Sequence, residues 1–160
     1  MIILGIDPGL SGGLALVEAG NRPLLLAVSD VPTTGEKAKR RVDVGGVLQF
    51  VRQYPPDHAI IERAQAMPEQ GASSGFIYGR AVGALEAAIE ALGIPLTVIE
   101  STAWKKAHGL IKRGKEDSRQ RAIRLFPGAA GFERKLDHNR AEAALIAYYG
   151  LQIILPRAAA

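Results

Sequence analysis

The chain has 160 residues, 48% of them hydrophobic, and a formal net charge of +4, which is enough for one domain with a sizeable core and too little for two of ordinary size. It contains no cysteine, so a disulfide framework, a thiolate zinc site and sulfur redox chemistry are excluded. No basic leader with a long apolar stretch stands at the start, and no run approaches the roughly 20 apolar residues that span a bilayer; a soluble, cytoplasmic protein without membrane contact is expected.

Residues 2–7, Ile-Ile-Leu-Gly-Ile-Asp, read as a buried strand that delivers Asp7 to the rim of a sheet just before a Pro8-Gly9 turn. Residues 10–18 follow as a second strand and residues 24–29 as a third after Gly20-Asn21, an antiparallel meander. Residues 33–39 are polar and predict a mobile loop, after which Val44, Val47, Leu48 and Val51 recur at helical spacing over about 42–53, until Pro55-Pro56 stops the chain. Residues 58–62 form a short strand ending in Glu62, and 64–74 an irregular connection. Ser73 or Ser74 is placed to cap an alanine-rich helix that runs to Leu92, closed by Gly93 with Pro95 beyond.

Residues 94–99 are the fifth strand, and Ser101-Thr102 starts a short helix carrying Trp104 and Lys105. Residues 109–114 form a basic loop; Asp117 or Ser118 begins a helix halted by Pro127-Gly128; Asp137 opens the last helix, with Ala141, Ala144, Leu145 and Tyr148 as its apolar stripe. Three antiparallel strands followed by alternating helices and strands predict an α/β fold, a five-stranded mixed sheet (antiparallel, then parallel) with helices on both faces. Residues 1–155 are expected to form a single domain and 156–160 a short tail.

An acid at the end of a buried strand has to be paired, hydrated or metal-bound. Glu62 ends its own strand, and if that strand is a parallel neighbour of the first, both carboxylates fall at one sheet edge. On the last helix His138 and Glu142 are four apart and share a face, Asn139 shares much of it, and Asp137 at the cap position is within reach. Singly, each acid has an ordinary use as turn, cap or dipole partner; together they predict a site for a hard divalent cation such as Mg²⁺, which takes carboxylates, water and substrate phosphate. Two such ions clamp the attacking and leaving oxygens of a phosphodiester. Basic residues gather at Lys37, Lys39, Arg40 and Arg41, and again at Lys105, Lys106, Lys112, Arg113, Lys115, Arg119, Arg121 and Arg124. Clusters of this kind favour a polyanion, and beside an acidic metal site they point to nucleic acid.

Gly5-Ile-Asp-Pro-Gly, Ile61-Glu62, Lys105 before Gly109, Gly114-Lys115 and Arg140-Ala-Glu-Ala-Ala-Leu-Ile-Ala resemble, in order and spacing, the RuvC family of Holliday-junction resolvases, in particular its short phage-type and prophage-type members. The resemblance implies a ribonuclease-H-like fold, a homodimer, dependence on Mg²⁺ or Mn²⁺ and paired nicking of four-way DNA junctions in a bacterial or phage-infected cell. Carried over by position, Asp7, Glu62 and Glu142 are the family acids. The remaining position falls among Asp137, His138 and Asn139, with Asp137 or His138 favoured because a neutral amide binds a hard cation less well. Lys105 and Lys115 match phosphate-contacting positions, and Lys106, Lys112, Arg113 and Arg119 extend that surface. Gln65 falls where members insert a residue near the strand-exchange point. Met67, Phe76 and Tyr78 are other candidates for opening the junction, although helix core or dimer contact is the expectation for the two aromatics. Two rival readings stand beside the nuclease: a branched-DNA-binding protein with weak or lost catalysis, and an actin-like ATP-binding domain suggested by Gly12-Gly13 as a phosphate turn.

Overall fold

The apolar run at the start of the chain becomes β1 (Ile2–Asp7), the central strand of a five-stranded sheet. The computed structural model describes residues 1–65 and 71–155; Met67 and the expected tail at 156–160 lie outside the described residues. β2 (Gly13–Glu18) and β3 (Leu24–Asp30) complete the meander, followed by β4 (Thr33–Thr34), β5 (Arg41–Val42), α1 (Val44–Gln53), β6 (His58–Glu62), α2 (Ala72–Ala91), β7 (Leu96–Ile99), α3 (Ser101–Ala107), α4 (Lys115–Leu125) and α5 (His138–Ile154). The strand order is β3-β2-β1-β6-β7, antiparallel from β3 to β1 and parallel from β1 to β7. The mixed sheet predicted from the sequence is therefore the one observed.

Alternation along the strands sorts the core into two layers. Ile3, Ala15, Val17 and Ile60 pack with Trp104, Ala122 and the buried face of α5. Leu4, Ile6, Leu14, Leu16, Ala59 and Ile61 pack with Val47 and Val51 of α1 and Leu85 and Ile89 of α2. Ala141, Ala143, Ala144, Leu145, Ile146 and Ala147 are all fully buried, so α5 is a central helix apolar on most of its circumference. It lies directly against β1 because residue 5 is glycine: a Cβ there would collide with the Ala143 carbonyl oxygen and stand 2.5 Å from the Ala147 nitrogen.

The loop expected at 33–39 is in part the β4–β5 hairpin, with a 3-10 turn at Lys37–Lys39. Residues 10–12 make a tight turn (Gly12 N to Gly9 O, 3.1 Å), and β2 begins only at Gly13. The Gly12-Gly13 pair is explained by packing: the Cβ position of Gly12 is filled by the Asp7 carbonyl, and that of Gly13 lies 2.5 Å from Asn139 O. α4 starts at Lys115, earlier than expected, since Asp117 accepts from the Gly114 backbone N–H (3.0 Å) from within the first turn. Of the small residues on α2, Ala81 and Ala88 are buried in the core, while Gly79, Gly83 and Ala87 face outward.

Candidate active site

Parallel pairing of β1 with β6 runs in register to Ile6 opposite Ile61, so the next residues, Asp7 and Glu62, stand side by side at the carboxyl edge of the sheet, where α/β folds place their ligands. Both follow the parity of residues on the α5 side, Asp7 that of Ile3 and Glu62 that of Ile60. The first turn of α5 is drawn onto the same edge, with Asn139 against Gly13 and its side-chain amide donating to Ser11 O. A cleft of about 450 Å³ results, lined by Asp7, Ser74, Tyr78, Lys115, Asn139 and Glu142 among others.

Each glutamate is gripped by one buried neutral donor. Trp104 Nε1 donates to Glu62 Oε2 at 2.6 Å, and Ser118 Oγ donates to Glu142 Oε1 at 3.0 Å. Among the described residues the second oxygen of each carboxylate accepts no hydrogen bond. Burial, reinforced by the negative charges of Glu142 and Glu62, pushes the Asp7 carboxyl well above the usual carboxylate range; Lys115 and Lys105 offset this in part. Glu62 is raised too, chiefly by burial, against the pull of the Trp104 hydrogen bond and Lys105. The Tyr78 phenol is lifted by burial and by the same two acids, Asp7 and Glu62.

This setting disfavours the ionised forms of Asp7 and Glu62 unless a cation joins them. Among the described residues no group of three or more His, Asp or Glu side chains converges closely enough to hold a metal ion. Asp7 and Glu142 line the cleft with Asn139, and Glu62, outside its lining, still bears on Asp7 through its charge; oxygen donors of this kind, with water and phosphate, are the ligands that Mg²⁺ or Mn²⁺ takes.

Two of the expected ligands are placed elsewhere. Asp137 is fully buried, and its carboxylate is taken by the Arg134 backbone N–H (2.7 Å) and guanidinium (2.6 and 2.9 Å), with Arg140 at 3.6 Å. It caps the 3-10 turn Lys135–Asp137 rather than facing the cleft. His138 is also outside the cleft lining: its Nδ1 donates to Lys135 O (3.1 Å) and its Nε2 accepts from Lys115 Nζ (3.2 Å). Residue 139, three before Glu142, is the one the helix brings to the cleft, because a spacing of three places both on the face pressed against the β1–β2 turn.

Of the expected DNA contacts, Arg119 is withdrawn into the fold, held by Glu116 (2.7 and 3.0 Å) and Phe132 O (2.6 Å). Lys106, Lys112, Arg113 and Lys115 are exposed, and Lys105 lies with Nζ 5.2 Å from the centre of the Trp104 ring. Gln65 is exposed and donates to Glu100 (3.1 Å). Of the two aromatics of α2, Phe76 is 68% exposed, while Tyr78 is partly buried against the core and lines the cleft over Gly9. Trp104, Ser118 and Tyr78 escaped assignment to the metal site from sequence; the one signal was a lone tryptophan in an otherwise polar short helix.

No protein-family model matches the chain. Crossover junction endodeoxyribonuclease RuvC of Shewanella sp. (strain ANA-3) is 31% identical over 126 residues, covering 76% of this chain and 72% of the relative. The RuvC of Paraburkholderia phymatum is 31% identical over 134 residues, 79% and 72% of the two chains. Among solved structures, Thermus thermophilus RuvC in complex with a Holliday junction substrate superposes with a TM-score of 0.72 at 21% identity, over 96% of this chain and 97% of the other. On that sequence identity and coverage, joined to a sheet of the same fold, the chain belongs to the RuvC family of crossover junction endodeoxyribonucleases.

Proposed function

We propose that this chain resolves four-way DNA junctions by paired, symmetric nicks, acting as a homodimer that uses Mg²⁺ or Mn²⁺, two ions per site, held by Asp7, Glu62 and Glu142. The observation that carries this reading is Asp7 beside Glu62 on adjacent parallel strands, with Asp7 and Glu142 of α5 lining one cleft edged by Lys115 and both glutamates bearing on Asp7 through their charge. When bound, the divalent ions supply charge stabilisation and a water of lowered pKa. Asp7 interacts with both glutamates and holds the central position. Lys105 and Lys115 draw the phosphate backbone in, while the exposed Lys106, Lys112 and Arg113 add affinity, since phosphate contacts position DNA without specifying sequence. Tyr78 keeps its phenolic proton, its pKa being raised, and donates to a phosphate oxygen at the mouth of the cleft.

Two symmetric cuts need two sites related by a two-fold axis. The outer face of α2 supports that arrangement, because Phe76 is 68% exposed and a Cβ added to Gly79 or Gly83 meets nothing within 4 Å. A second α2 then approaches closely across the axis.

The test is a mobile four-way junction labelled on each strand and incubated with the purified protein and Mg²⁺ or Mn²⁺. Paired nicks at symmetric positions are expected, and Asp7→Asn should retain junction binding while losing cleavage. Retarded complexes without nicks in either metal would instead favour a junction-binding protein without catalysis, the reading that an amide at Asn139 invites.

A further inference from the structure

The geometry points to Trp104 as a positioning residue for Glu62: its indole N–H fixes one carboxylate oxygen so that the other stays free for the cation. This rests on the reading that Glu62 is a metal ligand. The two residues are 42 apart in sequence, on α3 and β6, and meet at 2.6 Å, a close hydrogen bond. Trp104 is fully buried, where an indole N–H needs a partner; a phenylalanine would pack against the same layer without that need.

The ring is held from two sides. His108 lies 6.4 Å away, centroid to centroid, tilted by 59°, and its own Nε2 donates to Leu145 O on α5 at 3.0 Å. The Lys105 ammonium sits 5.2 Å from the indole centre. Trp104 thus joins three parts of the molecule: the strand that carries Glu62, the helix that carries Glu142, through His108, and the Lys105 side chain. A glutamate has three rotatable side-chain bonds, and at a strand end it scatters unless something restrains it. Donors that orient ligands in this way are typically worth about 10- to 100-fold in metal affinity.

Trp104 is the only tryptophan of the chain, so its indole N–H gives a single, self-assigned signal in a ¹H–¹⁵N spectrum of the intact protein. On this inference the signal lies downfield, moves on addition of MgCl₂ without DNA, and both features vanish in Glu62→Ala. Trp104→Phe should bind Mn²⁺ about 10- to 100-fold more weakly by calorimetry, with the deficit in nicking recovered at saturating Mn²⁺. The spectrum of the unmutated chain keeps the test open if the Phe variant folds poorly. An indole signal indifferent to both Mg²⁺ and Glu62→Ala, or Mn²⁺ affinity in a folded Trp104→Phe within twofold of wild type, overturns the inference. Absence of junction nicking with an indole signal that still follows Mg²⁺ would sink the proposed activity and leave the Trp104 assignment standing.

Discussion

Replacing Asp7 by Asn should make the cation-free protein more stable at neutral pH, although it removes the central residue of the site. Burial and the charges of Glu142 and Glu62 hold the Asp7 carboxyl well above its ordinary value of 3.8. The sign follows from linkage: a carboxyl raised on folding favours the fold below its unfolded pKa, and that advantage is lost as pH rises through the folded pKa. At neutral pH the wild-type fold therefore bears the cost of holding a carboxyl group in a buried, acidic setting that the unfolded chain escapes, and an amide of the same shape removes the penalty. Each tenfold rise in proton affinity on folding corresponds to about 1.4 kcal/mol, about 3–6 °C in Tm for a chain of this length. Thermal and urea melts in EDTA across the acid-to-neutral range are the assay. The two proteins should converge near and below pH 3.8 and separate above it. Added Mn²⁺ at a hundred times its Kd should stabilise wild type by about 2.7 kcal/mol and Asp7→Asn by much less, reversing the order. An Asn variant no more stable than wild type in EDTA at neutral pH, or a ranking that Mn²⁺ leaves untouched, refutes the reasoning.

Gly5→Ala places a Cβ 2.5 Å from Ala147 N and 2.8 Å from Ala147 Cβ. Overpacking of this kind costs about 1–3 kcal/mol, here at the upper end because backbone must shift, and displacing α5 also weakens Mn²⁺ binding through Glu142; an unchanged urea midpoint would show that α5 yields easily. Asp137→Ala should lose about 1–3 kcal/mol from the bonds to Arg134 with Mn²⁺ affinity unchanged, whereas a large loss of affinity would restore Asp137 as a ligand. The Arg134 bonds outweigh burial and keep the Asp137 pKa below 3.8. Its contribution is therefore present above that pH and fades as pH falls through the lower folded value, so the variant's deficit disappears only in strong acid. Gly83→Glu meets open space and should fold with stability within about 1 kcal/mol of wild type, yet sediment as a monomer and lose paired nicking; a persisting dimer would place the interface elsewhere than on α2.

Most of the fold was legible before any coordinates. Apolar runs bounded by Pro and Gly marked β1, β6 and β7, helical periodicity marked α1 and α5, and the strand ends Asp7 and Glu62 were visible because a buried strand that finishes on a charge is conspicuous. Errors gathered where short polar residues had several local uses. Asp117 carries a start signal yet lies inside the first turn of α4, and the polar segment at 33–39 has the composition of a loop yet folds in part into a hairpin.

The third element of the site divides the two kinds of information. Sequence alone determined which of the acids and amides at the start of the last helix share a face, since spacing along a helix fixes that. It did not determine which of residues 137–142 enter the cleft, because a helix can be rotated and shifted along its axis without altering its own hydrogen bonds. Tertiary contacts set that rotation. Gly5 and Gly13 let α5 press onto β1 and β2, Asn139 locks to the Ser11 carbonyl, and the guanidiniums of Arg134 and Arg140 capture Asp137. Trp104 and Ser118 reach Glu62 and Glu142 across 42 and 24 residues of chain, and bonds between segments so far apart depend on how the layers stack, which no local pattern records.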